Sequence, residues 1–334
     1  MVFSAVALTG IEPPAVLPGA RLWLRGQGVP EVEAAQAAVT VGGVAARVLF
    51  AAPDRAAVEV PGAAEAGRAA VRAAWSPGAT LFVDVGVTLA TGLHLVDSPA
   101  IDAEGRIYCA FSGPRGQETP VSVYRLGPDG GREPFVEGLT NATSLAFSPA
   151  GVLHVSSRFD GTVYRIDADG QASPFVGELG VACGLAFAPD GTLFVGDRTG
   201  TIHRVSADGS TTETFATLPA SVAAYHLAFG PDGALYVTGP TMSTHDALYR
   251  IAADGRPEVI DHTFGRPQGL AFDPHGVLHV VDALAGVSAI HRVPASGPRQ
   301  VVVAGPGLLG VAFEPGGALV AATSDALYRF APIP

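Results

Sequence analysis

Six turn glycines divide most of this chain into units of one length. Gly105, Gly151, Gly191, Gly233, Gly276 and Gly317 follow one another at intervals of 40 to 46 residues. Five lie in near-identical blocks, SLAFSPAGVLHV, GLAFAPDGTLFV, HLAFGPDGALYV, GLAFDPHGVLHV and GVAFEPGGALVA, and a divergent block, PAIDAEGRIYCA, precedes them. In each, a short apolar run enters a Pro/Asp/Gly turn and leaves as a second alternating run, the pattern of a tight hairpin. A third run follows with an aromatic-Arg pair: Tyr124-Arg125, Tyr164-Arg165, His203-Arg204, Tyr249-Arg250, His291-Arg292 and Tyr328-Arg329. A second turn, such as DADG at 167–170, then leads to a fourth run such as ASPFV.

Four strands in a repeat of this length predict a propeller blade. The sixth repeat stops after three strands, and the stretch before repeat one, VTLATGLHLVDS, aligns with the fourth-strand region of repeat one. Residues near 87–90 are therefore expected to complete the last blade and close the ring, which removes an exposed edge. Residues 1–85 lack the repeat and alternate as short strands between turns, as a β-sandwich does. The expected chain is thus all-β: an immunoglobulin-like sandwich over 1–85, a short joint, and a six-bladed propeller over 86–334.

Composition limits the function. The formal net charge is −11, which opposes a phosphate-neutralising surface, so nucleic acid is not an expected partner. No apolar run is long enough to insert in a membrane. All 20 basic residues are Arg, so lysine Schiff-base chemistry is excluded. Two cysteines, Cys109 and Cys183, are too few for a disulfide framework. The opening MVFSAVALTG lacks the basic and long apolar regions of a leader, which points to the cytoplasm by default and to the exterior only after removal of a leader. Acidity without lysine fits a GC-rich bacterial genome.

The block RPQGLAFDPHGVLHVVD resembles an NHL repeat, and the SPAG and APDG turns over six repeats resemble the senescence-marker-protein/gluconolactonase family. The runs LTGIEPPAVLPGARLWLRGQG and VTVGGVAARVLFAAPDRAAVEVP resemble an IPT/TIG immunoglobulin-like domain. The gluconolactonase resemblance implies a channel-mouth site with a divalent, calcium-like cation on hard oxygen ligands. The family's metal-binding Glu falls on Asp97, its Asn on Cys183 and its Asp on Gln268, and its substrate-binding positions in the second blade fall near Asn141 and Thr143. Asp97 is the one carboxylate carried over, and the candidate metal ligand. Because a thiol and an amide stand in the other places, the first expectation is a module that binds a small molecule or protein at the channel mouth. A metal-dependent hydrolase of lactones or esters is the alternative.

The aligned inner-strand starts are Asp97, Thr143, Cys183, Tyr225 or His226, Gln268 and Leu309. They predict either convergent polar groups of a pocket or a water-filled channel. Arg158 and Arg198, at one position of adjacent blades, could hold an anionic group, with surface solvation the plainer alternative. Two long loops, 111–122 and 238–247, the second carrying His245 and Asp246, are expected to flank the mouth from opposite sides. Cys109, His154 and His279 read as core residues, and Asp197 and Asp282 as turn caps.

Overall fold

The computed structural model describes residues 7–36, 38–127, 130–284 and 287–333. The first six residues, part of the opening read as lacking the features of a leader, lie outside these. Apart from one helical turn, Val32–Ala35, every element is a strand.

The repeats form four-stranded antiparallel sheets in which chain order is sheet order. Repeat three is typical: Ala182–Phe187, Leu193–Asp197, Thr201–Val205, Thr212–Thr217. Each turn glycine that marks a repeat has positive φ, from 74° at Gly233 to 88° at Gly191, which a Cβ would strain. The first strands touch one another in succession, and Leu308–Phe313 of repeat six touches both Pro267–Phe272 of repeat five and Ala100–Ile101 of repeat one. Repeat six has Leu308–Phe313, Leu319–Thr323 and Leu327–Phe330, and its outer strand is Val87–Ala90, with Val87 opposite Arg329 and Thr88 opposite Tyr328. The arrangement is propeller-like.

Aromatic clasps join neighbouring repeats. Phe194 packs edge-on against Phe215 of its own sheet and Phe229 of the next, and Tyr108 does the same with Phe135 and Phe147. Each such pair stabilises by about 0.5–1.5 kcal/mol beyond area burial. His154 takes this place between Phe175 and Phe187, its Nδ1 donating to the Val152 carbonyl at 3.1 Å. His279 does likewise against Phe313, donating to Val277. A second contact uses glycine: a Cβ on Gly170, Gly209 or Gly255 would collide with the carbonyl of Phe135, Phe175 or Phe215 in the preceding sheet. Four of the recurring arginines, Arg125, Arg204, Arg250 and Arg329, pair with carboxylates on their own sheets, as Arg250 with Asp232 at 2.8 Å and Arg125 with Glu133 at 2.7 Å. Cys109 is core, its thiol pushed up to about 12 by burial.

The N-terminal residues form two layers over one apolar core that includes Leu22, Leu24, Val39, Val58 and Val71. One layer pairs Ala7–Glu12, Arg21–Gln27, Arg55–Glu59 and Arg47–Ala52. The other does not stop at the joint. Ala15–Val16 lies parallel to Leu81–Val85 on one side and to Gln300–Ala304, the outer strand of repeat five, on the other. The result is one nine-stranded sheet running from the N-terminal layer into repeat five. The expected short joint at Gly86 is therefore reinforced by a second, non-sequential connection.

Candidate functional site at the channel mouth

The leucine of each LAF block points inward. Pro99, Leu145, Leu185, Leu227, Leu270 and Val311 line a central cavity of about 180 Å³. Apolar side chains make up most of the throat's lining residues, while polar groups contribute the larger share of the surface it exposes. At one end the lining turns polar, with Asp97, Ser98, Ser144 and His226.

Which side chains reach that end follows from strand register. In repeats two, three, five and six the ladder slips just before the inward leucine or valine, for example between Cys183 and Leu185. The residue before it is then Ser144, Gly184, Gly269 or Gly310. Small residues are required: a Cβ on Gly310 would lie 2.7 Å from the Ser98 Cα, and one on Gly269 would collide with the Ser98 hydroxyl. Repeat four pairs without a slip, His226 opposite Thr238 and Leu227 opposite Val237. It alone places a large side chain at this level.

That side chain crosses the mouth. His226, 2% exposed, donates from Nδ1 to Oδ1 of Asp97, 6% exposed, at 2.6 Å. Asp97 Oδ1 also accepts from the Ser98 amide at 2.6 Å. On the other side of the ring, His226 Nε2 lies 3.3 Å from Gln268 Oε1, and the Gln268 carbonyl accepts from Thr238 Oγ1 at 2.5 Å. With Nδ1–H held by the carboxylate, a neutral ring offers a lone pair at Nε2, which an amide NH₂ can satisfy. A protonated ring donates there instead, to the amide oxygen. Gln268 suits either state by rotating its amide.

The donor set does not fit a resident divalent cation. A calcium-like ion takes six to eight oxygens. Here Asp97 is the one carboxylate at the throat, and its Oδ1 is already taken by His226 and Ser98. Among the described residues no group of three or more His, Cys, Asp or Glu converges for a metal. Cys183 is buried and its thiol is pushed up to about 12, first by burial and then by the charge of Asp97. It is a protonated, inert thiol at neutral pH rather than a ligand or nucleophile. The residues around Asp97 therefore do not fit the calcium-like cation that the resemblance implied.

The other candidates divide. Asn141 is buried with φ of 51° and spends its side chain on loop 111–122: Oδ1 accepts from the Gly116 amide at 2.7 Å, and Nδ2 donates to Gly113 at 2.8 Å and Pro114 at 3.0 Å. Thr143 is buried and donates to the Asn141 carbonyl. Tyr225 turns away from the mouth, its hydroxyl donating to the Pro219 carbonyl, and its pKa is raised by burial. His226 therefore takes the place for which the two residues competed. His245 is exposed beside the buried Asp246, whose carboxylate holds the Thr241 amide and hydroxyl and so shapes loop 238–247. Arg158 and Arg198 hold the same place in adjacent repeats, each donating its backbone amide to the carbonyl at the start of the inner strand, Asn141 at 3.4 Å and Val181 at 3.2 Å. Asp197 and Asp282 cap as expected, accepting from Val181 and from Gly265 and Arg266. Ser98, Ser144 and Phe159 went unread. A serine in a column otherwise mostly glycine was the available signal for the first two.

No protein-family profile matches the chain. No curated protein matches it either. Solved structures do. An auxiliary nutrient binding protein from Bacteroides thetaiotaomicron is 12% identical with a TM-score of 0.58, over 98% of both chains. A gluconolactonase from Xanthomonas campestris is 19% identical with a TM-score of 0.63, over 75% of this chain and 89% of its own. Virginiamycin B lyase from Staphylococcus aureus is 14% identical with a TM-score of 0.54, over 72% of this chain and 96% of its own. At these identities the likeness is one of fold: an all-β, propeller-like protein with gluconolactonase-like and lyase-like neighbours.

Proposed function

We propose that this chain recognises a small molecule at one mouth of a closed six-bladed propeller, residues 86–334, carried behind an IPT/TIG-like sandwich, residues 1–85. Closure is supported by the pairing of Val87–Ala90 with Leu327–Phe330 and by the unbroken succession of inner-strand contacts. The observation that carries the function is the Asp97–His226–Gln268 chain, its first two members buried, at the end of a throat walled by leucines. Convergent polar groups over apolar walls are the makings of a ligand pocket. The likeness to a nutrient-binding protein over nearly the whole chain is in keeping with this reading. The test is calorimetry against a panel of sugars, sugar acids and small carboxylates, with D97N and H226Q as variants. Binding by wild type that both variants weaken supports the site; binding indifferent to both variants removes it.

A second reading is a hydrolase of lactones or esters. Its support is the orientation of His226 by Asp97, which fixes one tautomer and directs Nε2 at Gln268, a partner that a water must displace before Nε2 can take its proton. This chemistry rests on the chain's own residues. Turnover of glucono-1,5-lactone above background, lost in H226Q, would establish it.

A further inference from the structure

We infer that the ligand carries a carboxylate, held by Arg158 and Arg198, and an apolar body that lies against Phe159. This rests on the mouth being the binding site and names what binds there.

The residue after the second-strand cap position is Ser112, Arg158, Arg198, Pro240, Ala283 and Ser324 in repeats one to six. Arginine occurs in two of the six, and those two are adjacent. A residue that supports the fold would recur around the ring, as the arginine of the aromatic-Arg pair does. The positive wall is thus confined to one side of the mouth.

Neither guanidinium is neutralised by the protein. In a chain with 31 acidic and 20 basic residues, carboxylates are in surplus, and Arg125, Arg204, Arg250 and Arg329 each have one within 3.0 Å. Among the described residues, no ion pair involves Arg158 or Arg198. Arg198 Nε donates to the Ser221 carbonyl at 3.3 Å, which orients the group and leaves its remaining N–H donors free of intramolecular partners among the described residues. The nearby carboxylates are committed elsewhere. Asp197 accepts from the Val181 and Thr199 amides and from the Thr199 hydroxyl. Asp97 accepts from Ser98 and His226.

Two arginines at one register position of adjacent repeats, both at the inner-strand starts, suit the planar, two-oxygen geometry of a carboxylate, which each can grip in bidentate fashion. A neutral ligand would leave both charges unpaired. Beside Arg158, Phe159 is 53% exposed and its ring lies over Gly116, where a Cβ would come within 3.0 Å. Loop 111–122, fixed by Asn141, therefore supports an aromatic surface next to the cationic one.

The experiment is calorimetry of the full chain with matched acid and amide pairs, phenylacetate with phenylacetamide and benzoate with benzamide, and gluconate and inorganic phosphate added singly. The expected result is that at least one carboxylate binds, its amide partner binds about tenfold more weakly or not at all, and R158Q/R198Q costs about tenfold or more. R165Q, at an exposed arginine of the aromatic-Arg series, is expected to change nothing. Acid and amide binding equally, lost in H226Q but not in R158Q/R198Q, overturns the carboxylate grip and leaves the mouth as the site. Phosphate binding more tightly than every carboxylate also overturns it. Binding by none of the carboxylates overturns the inference; if the sugar panel also fails, the mouth as a site falls with it.

Discussion

Asp97 and His226 stand 129 residues apart, in repeats one and four, and meet at 2.6 Å across the mouth of the channel. In the proposed ring of six these repeats face each other, so this one contact would tie opposite walls. Breaking it leaves a buried polar group without a partner. D97N and H226A are each expected to destabilise by about 2–4 kcal/mol. Urea unfolding of both singles and the double variant checks this; additive losses would mean the two groups act independently.

Acid should loosen the protein through histidines kept neutral by burial. His291 is held down to about 4, by desolvation first and then by Arg299, while His154, His203 and His279 are lowered by desolvation. A folded pKa below the unfolded one means that the unfolded chain takes up more protons. The stability is therefore present above the unfolded value near 6.5 and is lost as pH falls towards 4. Each histidine contributes a slope of at most about 1.4 kcal/mol per pH unit. H291Y, with the tyrosine that repeats one, two, four and six carry, is expected to flatten the loss between pH 6.5 and 4 in urea midpoints.

Two glycines with the same backbone conformation should respond differently to alanine. Gly105 has φ of 79° and open space around it, whereas Gly170 has φ of 82° and the Phe135 carbonyl in the way. G105A is expected to cost about 1–2 kcal/mol from backbone strain alone. G170A adds a steric clash between sheets, for about 2–4 kcal/mol in total. Equal costs in thermal unfolding would show that the inter-sheet contact gives way freely.

Loop 111–122 contains Arg115, a tryptic site, and Asn141 clamps the adjacent Gly113, Pro114 and Gly116. Asn141→Gly keeps the left-handed backbone and removes the clamp. Cleavage after Arg115 should accelerate several-fold in limited proteolysis, with little change in global stability. Unchanged cleavage would mean the loop holds its own shape.

The strand Val87–Ala90 can be tested by truncation. Chains of residues 87–334 and 92–334 both lose the N-terminal layers, and only the second also loses the outer strand of repeat six. The shorter chain is expected to melt roughly 10 °C lower, or to self-associate through the open edge. Equal melting would show that this strand adds little.

The ladder of repeats was legible because local chemistry dictates it: a turn glycine, an inward leucine, an aromatic at fixed spacing. The missing fourth strand of repeat six was legible for the same reason, since Val87–Ala90 aligns with other outer strands. The site was less so. Asp97 and His226 were both placed at the mouth, but not as a hydrogen-bonded pair, because nothing local records which residue a side chain reaches across it. Tyr225 and His226 competed for one position, and the absence of a ladder slip in His226–Phe229 decided between them. The parallel pairing of Ala15–Val16 with Gln300–Ala304 went unseen because a two-residue parallel strand has no turn to announce it.

That pairing has a mechanical consequence. A module on a flexible tether can be pulled, turned or cut away without disturbing its neighbour. Here the peptide link at Gly86 and the backbone hydrogen bonds beside Gln300–Ala304 form two anchor points on different repeats, which together remove the freedom to swivel. A force applied to the N-terminal layers is delivered to the ring as torque, and the two parts move as one lever.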